Sequence, residues 1–267
     1  GFGKAMAAAG KACAAGLKAA LTSVAALGAG MVAVTEATRE YRTEQAMLTT
    51  AFSVAGGNAE QAKEVYSELM SVLGDSGKAT EASLHLAQLT TDEEKLAEWT
   101  NTLTGVYSTF GDSLPIEGLA EGINHTAKLG EVQGTLADAL EWAGVNLDDF
   151  NAELLMCNDE SEREALIRDT LTGLYGEAGT AYKETAKDII DANKAQLALT
   201  DGLAACGAAT EPLITLFKSG LASALQDLLP GFQDLTGGLQ DIVKGVEGGQ
   251  AKMSKGINKI VKSVLDT

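Results

Sequence analysis

Apolar residues recur along most of the chain at the spacing of one helix face. Ala62, Val65, Tyr66, Leu69, Met70 and Leu73 fall at i, i+3, i+4, i+7, i+8 and i+11, the stripe that an amphipathic helix buries. Leu96, Trp99, Leu103, Val106, Tyr107 and Phe110 repeat the pattern, followed by Val132, Leu136, Ala139, Leu140 and Ala143, and then by Ile167, Leu171 and Leu174. Trp99 and Trp142 fall on the apolar faces of these helices and are expected in the core. No stretch alternates apolar and polar residues as a half-buried strand does. The pattern therefore predicts an all-α fold, a compact multi-helix domain of short helices flanked by Ala/Gly-rich and amphipathic helices.

Start and stop signals agree with these phases. Thr91 with Glu94 and Ser161 with Glu164 have the spacing of a capping box, and Asn146 with Asp149 caps the helix between them, because a side-chain oxygen at the N-cap accepts from the free amides of the first turn. Pro115 suits a first turn, and Gly56-Gly57, Gly74, Gly111 and Gly144 mark ends.

From about residue 177 a polar helix runs through Lys194, then gives way to an Ala-rich stretch and to Leu-rich sequence. Leu221, Leu225, Leu228, Phe232, Leu235, Leu239, Ile242 and Val246 are spaced alternately four and three apart. This is an apolar heptad seam, suited to a second helix of another copy or to an antiparallel neighbour within the chain. Beyond Gly249, Lys252, Lys255, Lys259 and Lys262 share one face while Met253, Ile257, Ile260, Val261 and Val264 share another. Such a basic amphipathic helix can lie on anionic lipid or pack on an acidic partner. The organisation read from these shifts is an Ala/Gly-rich apolar helix over 1–34, an acidic helical domain over 35–200, and an apolar heptad helix ending in the basic helix over 201–267.

Charge sharpens the division. The 267 residues carry 37 acidic and 20 basic side chains, a net charge of −17. Residues 1–35 carry +3 and residues 251–267 another +3, leaving −23 for the residues between. An acidic surface cannot neutralise phosphates, so no specific nucleic-acid binding is expected. The uncharged run from Ala19 to Thr35 is rich in Ala, Gly, Thr and Ser and sits at the lower length limit of a membrane span. Close packing against another helix explains it better, with Gly28-Ala29-Gly30 permitting the approach. Lys4, Lys11 and Lys18 are spread through the N-terminal segment rather than gathered ahead of it, unlike a signal peptide. The start at Gly1 without Met is expected of an excised or processed piece.

Candidate chemistry is sparse. Cys13, Cys157 and Cys206 have no ligand spacing and are expected to be reduced. His85 and His125 stand outside any metal-binding arrangement, and His85, between Leu84 and Leu86, reads as a partly buried helix residue. The acidic clusters Asp92-Glu93-Glu94, Asp148-Asp149 and Asp159-Glu160 occupy first helical turns, where free amides and the helix dipole favour negative charge. No nucleophile elbow, phosphate loop, dinucleotide fingerprint or EF-hand is present. No catalytic, metal or cofactor site is expected, and the chain reads as a non-enzyme.

One resemblance goes further. The run LAQLTTDEEKLAEW over residues 86–99, then LTGVYSTFGDSLPIEGLAEGINHTAKL opening residues 103–154, then CNDESEREALIRDTLTGLYGEAGTAYKE over 157–184 and the Ala-rich stretch ending Glu211-Pro212-Leu213, resembles the minor tail domain of phage tape measure proteins. The likeness extends from about Thr35 to Leu229. It implies a helical protein in the lumen of a phage tail tube that contributes to tail length and assembly and leaves ahead of the DNA. Implied partners are other copies of itself, tail tube and distal tail or baseplate proteins, and the host membrane; the implied locations are the virion and, during infection, the host envelope. A helix rises about 1.5 Å per residue, so the chain could span on the order of 400 Å if wholly helical. Its Gly content and helix stops argue against a uniform rod, which suits a folded domain plus flanks of a longer ruler. The alternative expectation is a membrane-active helical protein that inserts or forms a channel in the host envelope.

Overall fold

A computed structural model describes residues 24–218, 231, 233–234, 237–238, 241 and 248–265. Helix α1 spans Val24–Val54, α2 Ala59–Leu73, α3 Ser76–Leu89 and α4 Glu93–Phe110. A 3-10 turn at Gly111–Ser113 precedes α5, Ile116–Leu129, and then come α6, Thr135–Trp142, α7, Leu147–Met156, and α8, Glu160–Thr185. Helix α9 covers Lys187–Lys218 and α10 covers Gly249–Leu265. Among the described residues there are helices and no strands, an all-α fold. The chain divides into two units, one of residues 44–194 and one in which 1–43 join 195–267.

Within 44–194, α4 is the central helix. It packs along α8 and touches α2 and α5, while α3 packs on α2 and α5. Trp99, Leu103 and Val106 of α4 are fully buried with Leu119 and Ile123 of α5, Leu136 and Leu140 of α6, and Ile167 and Leu171 of α8. Burying each such side chain removes enough apolar surface from water to contribute about 1.5–3 kcal/mol.

The α4–α8 crossing is set by small residues. A Cβ at Gly105 would lie 1.9 Å from the Tyr175 carbonyl oxygen, and one at Gly179 would lie 2.1 Å from that of Asn101. Asn101 Nδ2 donates to the Gly176 carbonyl at 3.0 Å, and the Thr102 and Thr172 hydroxyls share a hydrogen bond of 2.9 Å. Backbones at this separation satisfy side-chain polar groups on the facing main chain. On the same pair of helices Glu164, 3% exposed, accepts from Trp99 Nε1 at 2.9 Å and from Lys95 Nζ at 3.0 Å, with Arg168 Nη1 at 3.5 Å.

Several helix boundaries differ from the sequence expectation. The α4 cap is Asp92, whose carboxylate accepts from the Lys95 amide, so the expected Thr91–Glu94 box is displaced by one residue. The α8 cap is Asp159, accepting from the Glu162 amide; Ser161 is inside the helix and Glu164 is the buried carboxylate above. Asn146 caps α7 as expected, accepting from the Asp148 and Asp149 amides. The polar helix expected through Lys194 is interrupted at Ala186, where α8 ends and α9 begins. Trp142 is half-exposed instead of core, lying on the Phe110 ring at 5.1 Å, and Leu174 yields its expected core position to Tyr175. The Tyr175 hydroxyl donates to the Ala139 carbonyl at 2.6 Å, which fixes its ring in the interior.

In the other unit, α1 and α9 run antiparallel. Thr35 and Thr210 hydroxyls share a hydrogen bond of 2.8 Å, Tyr41 donates to Asp201, and Arg42 Nη1 bonds Glu211 at 2.5 Å. Thr38 lies against Gly207, where a Cβ would meet its hydroxyl at 2.1 Å. The close packing expected of the Ala/Gly-rich segment is therefore seen at its Thr35 end, and Leu203, Ala204 and Cys206 of α9 are buried. Among the described residues no helix is long and apolar enough to cross a membrane.

Candidate functional site

The sequence points to two surfaces, and only one lies in described structure. The seam residues Leu221, Leu225, Leu228, Phe232, Leu235, Leu239, Ile242 and Val246 all lie outside the described residues. The lysine face is described: Lys252, Lys255, Lys259 and Lys262 of α10 are all exposed, and Met253 and Gly256 on the other side are buried.

The lysines form two edges of one stripe. At about 100° per residue, Lys255 and Lys262 sit roughly 60° around the helix from Lys252 and Lys259 respectively. The inner edge, nearer the buried face, is engaged. Lys252 Nζ lies 3.2 Å from Asp241 Oδ2, and Lys259 Nζ lies 2.6 Å from Asp234 Oδ2. The pairs run in opposite senses and both steps are seven residues in sequence, so they form an antiparallel ion-pair ladder. The Asp234 carboxyl is held below its ordinary value, first by the hydrogen bond from Lys259, with Lys255 and Lys252 adding attraction at longer range. The outer edge, Lys255 and Lys262, has no ion pair among the described residues.

Sequence reasoning identified the lysines and missed their carboxylate partners. The signal was present, since Asp234 and Asp241 repeat at the same seven-residue interval as Lys252 and Lys259.

A second feature lies in the 44–194 unit. Helices α2 and α4 border a groove of about 560 Å³ with Val65, Leu96 and Ala97 in its wall and Glu64, Glu68 and Glu94 among its carboxylates. Lys183 of α8 reaches its edge and is bound there by Glu68 at 2.6 Å.

The remaining polar clusters are internal. His85 is half-buried on α3, its Nδ1 enclosed without a hydrogen-bond partner. Burial pushes its imidazole below the usual histidine value; Glu121 and Glu81 oppose the shift, and His125 and Lys128 add to it. Beside it Asn124 Nδ2 donates to Gln88 Oε1 at 3.0 Å, and Lys128 approaches the same oxygen at 3.4 Å. Cys206 is buried and Cys157 partly so. Among the described residues no group of three or more His, Cys, Asp or Glu is placed to hold a metal ion.

No protein-family model, curated protein or solved structure matches the chain.

Proposed function

We propose that the chain is a structural component of a phage tail, similar to a tape measure protein, that occupies the tail tube lumen, contributes to tail length and assembly, and is released with the DNA. In this reading it performs no covalent chemistry, and its partners are copies of itself together with tail tube and distal tail or baseplate proteins. The observation that supports it beyond the sequence resemblance is the lengthwise, antiparallel pairing of helices. Thr35 to Thr210 and Tyr41 to Asp201 join α1 to α9, and the ion pairs Lys252 to Asp241 and Lys259 to Asp234 run in opposite chain senses along α10. Long helices zipped side by side are suited to a narrow cylinder, and an acidic surface keeps a luminal protein from adhering to DNA passing through the same tube. The test is genetic and visual: an in-frame deletion within residues 35–200 is expected to yield shortened or tailless particles by electron microscopy. Tails of normal length and number would count against the proposal.

The membrane-active alternative draws on one feature, the exposed lysine stripe of α10 set against its buried Met253 and Gly256. Leakage of anionic liposomes that disappears when residues 251–267 are removed would favour it.

A further inference from the structure

Among the described residues, two of the four lysines of α10 make ion pairs. Met253 and Gly256 face inward, and Lys252 and Lys259 are drawn to Asp241 and Asp234 at the rim of the packed face. Lys255 and Lys262 stand farther round the helix, exposed, about 10.5 Å apart along its axis, two positive charges on one line. The inner edge shows what these lysines bind: the carboxylates of Asp241 and Asp234.

The groove between α2 and α4 offers that chemistry. Glu64 and Glu68 stand one turn apart on α2, and Glu93 and Glu94 open α4 opposite them. Glu64, Glu93 and Glu94 are exposed and make no ion pair among the described residues. Lys183, the basic side chain lining the groove, is already taken by Glu68. Between the carboxylates the groove is lined by exposed Ala97 together with Val65 and Leu96, each 3% exposed, so a lysine stem can lie on Ala97 while its ammonium group reaches the rim.

We infer that the outer lysine edge of α10 docks into the α2–α4 groove of a second copy of this chain, Lys255 and Lys262 pairing with the carboxylates of Glu64 and of Glu93 and Glu94. The charge balance singles out a second copy: the chain is acidic by 17 charges overall, with +3 concentrated in residues 251–267 and −23 between residues 36 and 250. Each chain thus carries one basic plug and one acidic socket. Such a contact is heterologous, because the two surfaces differ, and repeats head to tail instead of closing a symmetric dimer. The inference rests on the assembly reading above and gives it a specific contact, one that does not involve the heptad seam.

The experiment is sedimentation velocity on the full chain at low and high ionic strength, with circular dichroism to verify that each variant keeps its helix content. The wild-type chain is expected to form open-ended oligomers at low salt that dissociate as salt screens the pairs. Both K255E/K262E and E64K/E94K are expected to weaken association at least about tenfold, the scale set by like charges facing one another in a contact. An equimolar mixture of the two variants restores it, since the reversed lysines of one meet the reversed glutamates of the other. A wild-type monomer at both ionic strengths, association of K255E/K262E equal to wild type, or a mixture that stays apart would each overturn the inference. So would binding of the wild-type chain to phosphatidylglycerol vesicles that K255E/K262E loses while its self-association persists. None of these outcomes bears on whether the chain resides in tails, which is tested separately by the deletion above.

Discussion

Gly105 and Gly179 occupy reciprocal positions at the crossing of α4 and α8, each lying under a carbonyl of the opposite helix, Tyr175 for the first and Asn101 for the second. No side chain fits at either point unless the backbones separate. Replacing Gly105 by Ala is expected to destabilise the chain by about 3 kcal/mol, the upper range for forcing a methyl group into a packed interface. Gly173 is the control, because a Cβ there meets nothing within 4 Å. G173A is expected to stabilise by up to about 1 kcal/mol through helix propensity. Urea unfolding of both variants checks the contrast, and equal effects would remove the basis for the crossing described.

The buried carboxylate of Glu164 is held by Trp99 and Lys95 with Arg168 nearby. Glu164→Ala leaves Lys95 and a buried indole N–H without their acceptor, while Arg168 keeps Glu98 at 3.0 Å and Asp169 at 3.4 Å. The expected cost is about 3 kcal/mol, toward the low end for breaking a buried ion pair because Lys95 retains contact with water. Trp99→Phe is expected to cost about 2 kcal/mol, the worth of a hydrogen bond to a charged acceptor plus some lost packing. The two effects should fall short of additive in the double variant, since both remove the same bond. Full additivity would show that the bond is not the source.

The sequence made some of this legible and concealed the rest. Helical phase is a local property, so the apolar faces carrying Trp99, Leu103 and Val106 could be read directly. The closeness of Gly105 to Tyr175 could not, because the spacing of one helix says nothing of which residues face it across a crossing. Trp142 was misplaced for a related reason: it lies on its helix's apolar side, but α6 ends at that residue and the side chain covers Phe110 from the outside. Glu164 fits a capping box with Ser161 in sequence, whereas Asp159 supplies the cap and Glu164 is buried. At α10 the lysines are visible in sequence, whereas their ion pairs depend on Asp234 and Asp241, which only folding brings beside them.

Stability should depend on pH through His85. Burial lowers its folded-state pKa below the ordinary 6.5, so the folded chain favours the neutral imidazole. The associated stability is complete above pH 6.5 and declines as pH falls through that value toward the lowered one, where the folded state must also accept the proton. Glu81 and Glu121 limit the loss, and His125 and Lys128 enlarge it. Denaturant unfolding at pH 7.5 and pH 5.5 is expected to show a drop that His85→Gln reduces. An identical drop in that variant would assign the effect to other groups.

The α10 ladder also loses its contribution in acid, over a lower pH range than His85. Lys259 depresses the Asp234 carboxyl, so its contribution is present above the ordinary carboxylate value of 3.8 and vanishes as pH falls through the depressed value. Lys259→Asp should speed amide exchange in α10, and adding Asp234→Lys should slow it again. Exchange in α10 that ignores both changes would mean the ladder does not hold the helix.

The central claim is that this chain is a tail component, present in multiple copies and paired along its helices. Quantitative mass spectrometry of purified, DNA-free tail particles tests that proposal most directly. The account predicts a fixed, small number of copies per tail, constant between preparations. Absence of the chain from tail particles, or a trace amount varying with preparation, would contradict it.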